Sequence, residues 1–319
     1  MKRYLFLMVP LCLGLFACRQ ENPQPQTAQL VPQTVAEDSS LPALALNGTL
    51  LHVETYGAPT DPMIVFLHGG PGGDYQNGLN ARQLADDGYF VVFYDQRGSG
   101  LSQRHNQAVY SIQVMLDDLT ALIAHFRTAP EQKVFLFGHS WGAMLAAAYI
   151  NAYPDRIDGA VFAEPGGLNK DLLDAYGSAS RKLELFSEST NDVLYLDQFL
   201  TVGDDPHAVL DYKQSVLSAF AYHEGNAEGI EGPSPFYRYG AVTLNSFIEI
   251  AETEGFDFTT HLQQFTTKVL FLYGELNLSY GLAFAQKEAA FFPHAEIVQI
   301  ADTGHEMIHF KWDRVYLEV

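Results

Sequence analysis

Six short, mainly apolar segments recur along the chain, and most of them are hydrophobic at consecutive positions rather than at alternating ones. These segments are residues 63–67, 89–94, 133–137, 158–163, 268–273 and 295–300. A strand that is buried on both faces needs such an unbroken run, because successive side chains point to opposite faces of a sheet. The pattern therefore predicts a mostly parallel sheet with helices on both faces.

Segments with helical spacing separate most of these runs. Apolar side chains recur every three or four positions between Ile112 and Phe126, for example. The alternation of strand, helix and strand is typical of α/β proteins. Nearer the N-terminus, residues 44–46 and 49–56 flank an Asn-Gly pair, which favours the tight turn of an antiparallel hairpin.

The interval between Ala163 and Lys268 is longer than one crossover helix requires, and its spacing is mainly helical. A chain of 319 residues with 47% hydrophobic content can bury one large core. We therefore predict an α/β core formed by residues 42–167 and 265–319, with an inserted helical cap formed by residues 168–264.

The N-terminus carries the features of an export signal. Lys2 and Arg3 precede an apolar run that ends at Ala17 and is too short to span a membrane. We therefore predict that residues 1–17 are a signal peptide. The residues before Cys18 resemble the bacterial lipobox, in which the cysteine becomes lipidated after cleavage.

Residues 18–41 are rich in Gln, Pro, Thr and Ser, and they contain few large apolar side chains. This composition gives the segment little to bury, so we expect a flexible tether. A lipid on Cys18 would then hold the exported protein on a membrane of the bacterial cell envelope. Plain secretion is the alternative.

The chain is strongly acidic, with 18 Lys and Arg against 38 Asp and Glu. This balance argues against nucleic acid as a partner and against electrostatic attraction to anionic lipids. From the sequence we expect no metal site.

A serine lies where a buried strand should turn sharply into a helix. The pentapeptide Gly138-His139-Ser140-Trp141-Gly142 follows the apolar run 133–137 and precedes a stretch that favours a helix. Its two glycines allow a strained turn that projects the serine hydroxyl from the helix N-terminus. Ser140 is therefore the candidate nucleophile, and a serine nucleophile needs a neighbouring base.

His305 is the candidate base. It directly follows the last apolar run, so it should lie on a loop at the same edge of the sheet as Ser140. Attack on a carbonyl also creates an oxyanion, which N–H donors must stabilise. We expect the N–H groups of Gly70, in the glycine-rich segment 68–73, and of Trp141 to be those donors.

Four motifs together resemble the proline iminopeptidase family of α/β-hydrolases. They are HGGPGG at 68–73, DQRGSGLS at 95–102, GHSWG at 138–142 and the late GH at 304–305. The resemblance implies an eight-stranded sheet with a helical cap, and removal of an N-terminal residue, often proline, from small peptides. It also implies that residues 95–102 form a structural loop beside the site.

The chain departs from this family where the third member of the catalytic triad is expected. The family has Asp at the fourth position of a Gly-x-x-Asp segment, and here that position is Asn277. An amide cannot stabilise the imidazolium that forms during catalysis. We favour Glu164, at the end of the sixth predicted strand, as the acid. Glu275 is the alternative, and a site without a functional acid is the third possibility.

The predicted cap is acidic, with 16 Asp and Glu against 5 Lys and Arg over residues 168–264. Such a cap would attract a cationic group, and Glu224 and Glu228 are candidates to contact a peptide amine. A solvated acidic face is the alternative interpretation of both residues.

These observations favour an enzyme that hydrolyses a small-molecule or short-peptide substrate through an acyl-enzyme on Ser140, without a cofactor. We favour an N-terminal amino-acid amide over a carboxylic ester as the substrate. An esterase is one alternative. A surface lipoprotein that binds ligands and has lost the chemistry is the other.

Overall fold

The computed structural model describes residues 30–180, 205–219, 226–233 and 235–319. The predicted signal peptide, Cys18 and Glu224 lie outside the described residues, so their predicted roles remain predictions. Among the described residues, no helix combines the length and the apolar character needed to cross a membrane.

In the described part of the chain, eight strands form one sheet, which confirms the predicted α/β architecture. The strand order is β1-β2-β4-β3-β5-β6-β7-β8. The pairs β1–β2 and β2–β4 are antiparallel, whereas the pairs from β4 through β3 to β8 are parallel. The bounds are β1 Ala43–Leu46, β2 Thr49–Tyr56, β3 Met63–Leu67, β4 Phe90–Tyr94, β5 Val134–His139, β6 Gly159–Ala163, β7 Val269–Gly274 and β8 Ala295–Ile300.

Helices connect most of the parallel strands. In the described part of the chain they are α1 Ile112–Phe126, α2 Trp141–Ala152, α3 Lys170–Ser180, α4 Pro206–Ala219, α5 Ala241–Thr253, α6 Gly281–Ala289, α7 Met307–Phe310 and α8 Trp312–Val315. Ser111 caps α1, because its side chain accepts a hydrogen bond from the N–H of Val114. The long insertion between β6 and β7 contains α3, α4 and α5.

The connection between β3 and β4 is a 3₁₀ segment, Tyr75–Asp87, which the sequence pattern did not predict. It begins at Asp74, whose side chain accepts a hydrogen bond from the N–H of Gln76, and it ends at Gly88 with a φ of 86°. Its polar sequence carries only a weak apolar stripe, so helical spacing gave no signal there.

The sheet separates two apolar layers, and β3 shows how. Met63, Val65 and Leu67 pack with side chains of α1 and α2 on one face. Ile64 and Phe66 pack on the other face, with the 3₁₀ segment and α8. All five β3 residues are buried, as an unbroken apolar run requires.

The last part of the predicted tether is packed against the core instead of extending from it. Val31 and Val35 are buried, and the N–H of Val35 donates to the carbonyl oxygen of Leu101 at 2.8 Å. The guanidinium of Arg238 donates to the carbonyl oxygen of Pro32 at 2.6 Å. Composition did not predict this docking, because two valines in a polar segment are a weak signal.

Candidate active site

Ser140 lies at a strained turn between β5 and α2. Its backbone has a φ of 52° and a ψ of −120°, a conformation that costs a residue with a side chain about 1–3 kcal/mol. The two flanking glycines permit the turn. A Cβ on Gly138 would lie 2.5 Å from the nitrogen of Ala143, and one on Gly142 would collide with the carbonyl oxygen of Leu67.

His305 lies on the loop after β8, and only 8% of it is exposed. Its Nδ1 lies 2.8 Å from Oε2 of Glu164, which is completely buried. Glu164 directly follows β6 and has a φ of 46°, so a second strained residue ends the strand next to β5. This pairing leaves Nε2 as the ring nitrogen of His305 available for chemistry.

The Glu164 carboxylate accepts two further hydrogen bonds. The N–H of Gly274 donates to Oε1 at 2.7 Å, and Nδ2 of Asn277 donates to Oε2 at 2.7 Å. The amide oxygen of Asn277 in turn accepts from the N–H groups of Ser279 at 3.0 Å and Tyr280 at 3.1 Å. These two bonds fix the orientation of the Asn277 amide, so its NH₂ faces Glu164. Every group bonded to the Glu164 carboxylate is therefore a donor.

Glu275, the alternative acid, lies apart from this network. Its Oε2 accepts a hydrogen bond from the N–H of Asp302 at 2.9 Å, in an exposed setting. The structure therefore brings Glu164, and not Glu275, to His305.

Charges around His305 favour its protonated form. Burial alone would lower its pKa, but the hydrogen bond that its Nδ1–H donates to Glu164 and the negative charges of Glu228, Glu164 and Glu306 outweigh burial and raise the pKa to about 9. Glu228 is half-buried and reaches this region from the cap. Its carbonyl oxygen accepts the N–H of His305 at 2.8 Å, and its Oε1 accepts the hydroxyl of Tyr176 at 2.6 Å.

His139 links the serine turn to the His305 loop. Its Nε2 lies 2.8 Å from the carbonyl oxygen of His305 and must donate, because a carbonyl oxygen can only accept. Nδ1 then accepts from Nδ2 of Asn77 at 2.7 Å. Burial and the nearby His305 lower the pKa of His139 to about 3, so this ring is neutral. No local feature of the sequence marks these partners of His139, which lie far from it in the chain.

The predicted oxyanion donors border the same cavity as Ser140. Trp141 begins α2, so its N–H has no partner within the helix. Gly70 has a φ of 130°, and a Cβ there would lie 2.6 Å from the nitrogen of Gly72, so the turn requires glycine. Gly69 also approaches closely, since a Cβ built on it would lie 3.4 Å from the Cβ of Ser140.

Gln96 holds the two donor segments together. Its amide NH₂ donates to the carbonyl oxygen of His68 at 3.0 Å, and its amide oxygen accepts Nε1–H of Trp141 at 2.9 Å. The N–H of Gln96 also donates to Nε2 of His68 at 2.9 Å. Nearby, buried Asp95 accepts from the N–H groups of Tyr75 at 3.0 Å and Leu101 at 2.8 Å. Residues 95–102 therefore brace the loops beside Ser140.

A cavity of about 230 Å³ opens beside Ser140, between α2 and the helices of the insertion. Its lining residues are Gly70, Pro71, Ile112, Ser140, Trp141, Met144, Gly166, Leu173, Tyr176, Leu244, Phe247, Ile248, Ile250, Ala251, Phe256 and Phe258. Within the described ranges, no group of three or more His, Cys, Asp or Glu side chains is arranged to hold a metal ion.

A family model described as an alpha/beta hydrolase fold matches residues 62–311. Among curated proteins, a proline iminopeptidase of Arabidopsis thaliana is 38% identical over 125 residues, which is 39% of this chain and 32% of that protein. An epoxide hydrolase B of Mycobacterium tuberculosis is 33% identical over 121 residues, covering 37% of this chain and 33% of the relative. The chain thus spans about a third of the length of these relatives.

Solved structures with the same fold cover most of the chain. VinJ superposes with a TM-score of 0.61 at 18% identity, covering 86% of this chain and 95% of that one. A proline iminopeptidase of Mycobacterium smegmatis gives 0.58 at 18% identity, with coverage of 86% and 95%. An esterase of Thermogutta terrifontis gives 0.57 at 22% identity, with coverage of 87% and 94%. At these identities the likeness concerns the fold alone.

Proposed function

Because the chain belongs to the alpha/beta hydrolase family, we propose that it is a serine hydrolase that forms an acyl-enzyme on Ser140. One observation carries this proposal. The buried carboxylate of Glu164, at the end of the strand next to the one that leads into the Ser140 turn, lies 2.8 Å from Nδ1 of His305. A nucleophile, a base and a buried anion that orients the base are the parts that acyl transfer requires.

In the proposed reaction, Nδ1–H of His305 stays bonded to Glu164 while Nε2 takes the proton of the Ser140 hydroxyl. The serine oxygen bonds to the substrate carbonyl carbon, and the N–H groups of Gly70 and Trp141 stabilise the oxyanion. The leaving group departs with the proton from His305. Water then attacks the acyl-enzyme by the same route, which releases a carboxylic acid and restores the serine.

The leaving group is the nitrogen of an N-terminal amino-acid amide or the oxygen of an ester. The Glu228 carboxylate supports the amide, because it lies beside His305 and can attract a peptide's free amine. Similarity to proteins named proline iminopeptidase points the same way. The apolar cavity beside Ser140 supports the ester.

A fluorophosphonate probe tests the chemistry independently of the substrate. We expect covalent labelling of the purified protein and none of the Ser140→Ala variant. A panel of arylamides and aryl esters then separates the two leaving groups. An unlabelled, correctly folded wild-type protein would support the second candidate, a ligand-binding surface lipoprotein.

We also propose that the protein is exported and held on the bacterial cell envelope by a lipid on Cys18. The basic start and short apolar run of residues 1–17 support this proposal. Metabolic labelling with an alkyne fatty acid should mark the wild-type chain and not Cys18→Ala. Labelling of both chains would contradict lipidation at this residue.

A further inference from the structure

We infer that the cavity beside Ser140 binds an uncharged, apolar acyl chain, so the preferred substrates are esters of medium-chain or arylalkyl carboxylic acids. This inference rests on the proposed acyl-enzyme on Ser140 and specifies the acyl group. The cavity borders both the nucleophile and the two predicted oxyanion donors, Gly70 and Trp141. An acyl group bonded to Ser140 can therefore extend into the cavity.

One face of α5 forms a wall of the cavity. Leu244, Phe247, Ile248 and Ala251 recur at helical spacing and line the cavity together. Ile248 is 51% exposed and marks the rim, whereas Phe247 is 4% exposed and packs against Trp141 with ring centroids 4.8 Å apart and the rings tilted by 40°. The wall is therefore apolar from the rim down to the serine turn.

The polar groups of the aromatic lining residues are already bonded away from the cavity. The hydroxyl of Tyr176 donates to Glu228 at 2.6 Å, and Nε1–H of Trp141 donates to Gln96 at 2.9 Å. Both rings therefore offer the cavity mainly apolar surface. A chain of methylene groups gains from leaving water for such a surface, whereas an ammonium group would lose its hydration without a partner among the described lining residues.

The size of the cavity limits the chain. An apolar cavity of about 150 Å³ is known to hold benzene. At about 230 Å³, this cavity has room for a somewhat longer group. We place the optimum at roughly six to eight acyl carbons, since a cavity somewhat larger than one that holds benzene admits about that many.

The test measures kcat/KM for p-nitrophenyl esters from acetate to dodecanoate. We expect about a fourfold rise per methylene, which is the gain for burying that group, up to roughly six to eight carbons, followed by a plateau or fall. Alanine and proline p-nitroanilides should be slower substrates than the hexanoate ester.

Two cavity variants and one matched control localise the effect. Ala251→Leu adds bulk to the buried wall and should move the optimum to shorter chains. Ile248→Ala removes contact at the exposed rim, where folding is little affected, and should reduce the preference for octanoate over acetate. Asn245→Leu adds the same side chain to the exposed face of α5 and should leave the chain-length profile unchanged.

The outcomes separate this inference from the proposed function. Loss of all ester hydrolysis and of fluorophosphonate labelling in wild type would reject the acyl-enzyme itself. Acetate hydrolysis that requires Ser140, with no gain from longer chains, would overturn only the apolar acyl site. Faster turnover of amino-acyl anilides than of any ester would likewise overturn it.

Discussion

Replacing Glu164 with Gln tests the acid without changing the size of the side chain. The carboxylate accepts from three donors, namely the N–H of Gly274, the NH₂ of Asn277 and Nδ1–H of His305. A Gln side chain must turn its own NH₂ toward at least one of them. The less damaging orientation points the NH₂ at Gly274 and keeps the oxygen toward Asn277 and His305.

This orientation sets the expected magnitudes. One backbone N–H loses its acceptor, which should lower the free energy of unfolding by about 1–3 kcal/mol. The imidazolium of His305 also loses its buried counter-charge. A comparable substitution of the acid in a serine-protease triad lowers kcat by about 10⁴-fold, so we expect a decrease on the order of 10³- to 10⁴-fold.

Steady-state hydrolysis of an aryl ester measures kcat, and urea unfolding measures stability. Glu275→Gln is the matched control, because that exposed carboxylate bonds only the N–H of Asp302 among the contacts described above. We expect its kcat to stay within about threefold of wild type, as for a typical surface substitution. A Glu164→Gln enzyme that keeps more than a tenth of the wild-type kcat would refute the assignment of the acid.

Asn277 offers a rescue test of the same reasoning. Its Nδ2 lies 2.7 Å from the Glu164 oxygen that contacts His305. In Glu164→Gln/Asn277→Asp the anion moves to the end of β7, and we expect kcat to recover at least tenfold over Glu164→Gln alone. Asn277→Asp by itself should lower kcat at neutral pH, because two adjacent carboxylates would share a proton. No recovery of kcat in the double variant would mean that a carboxylate at position 277 cannot act on His305.

Three further predictions concern charge. Because the pKa of His305 is raised to about 9, kcat/KM should rise with pH through about 9. Glu228→Gln removes a negative charge near His305, so it should move this rise to lower pH. Tyr176→Phe keeps that charge and should move the rise less. The same pKa shift affects stability, because the pKa of His305 in the folded protein lies above its ordinary value of 6.5. The stabilisation from protonated His305 is fully present below pH 6.5 and is lost as pH rises through about 9. Urea unfolding at a series of pH values measures this loss. Asp211→Asn should lower the free energy of unfolding by about 3–5 kcal/mol, because buried Arg104 and Arg238 both pair with that carboxylate, at 2.9 and 2.7 Å. The exposed Asp171→Asn is its control, and similar urea midpoints for the two variants would contradict the importance of this cluster.

The strands could be predicted from the sequence because burial on both faces leaves a continuous apolar run. Residues 63–67 are the simplest case, where the run and the strand Met63–Leu67 coincide. The serine turn was equally readable, since the glycines at 138 and 142 are required by close backbone approach. Local backbone geometry of this kind is determined by neighbouring residues, so the sequence predicts it.

The choice of acid and the bracing contacts could not be read in the same way. Glu164 and Glu275 are both carboxylates after a strand, and only their burial and partners distinguish them. The pairing of Arg238 with Asp211 and Pro32 joins residues far apart in the chain. Such contacts depend on how the cap packs against the core, and no pattern of neighbouring residues predicts that packing.

The backbone at Ser140 has a consequence for how well the protein withstands heat. A left-handed φ of 52° suits glycine better than serine, so the residue proposed to perform the chemistry opposes folding. Ser140→Gly should therefore be inactive and yet melt a few degrees higher, since relief of this strain is worth about 1–3 kcal/mol. Selection for thermostability alone would thus tend to remove the reactive hydroxyl, and retention of serine at this bend is consistent with selection for activity.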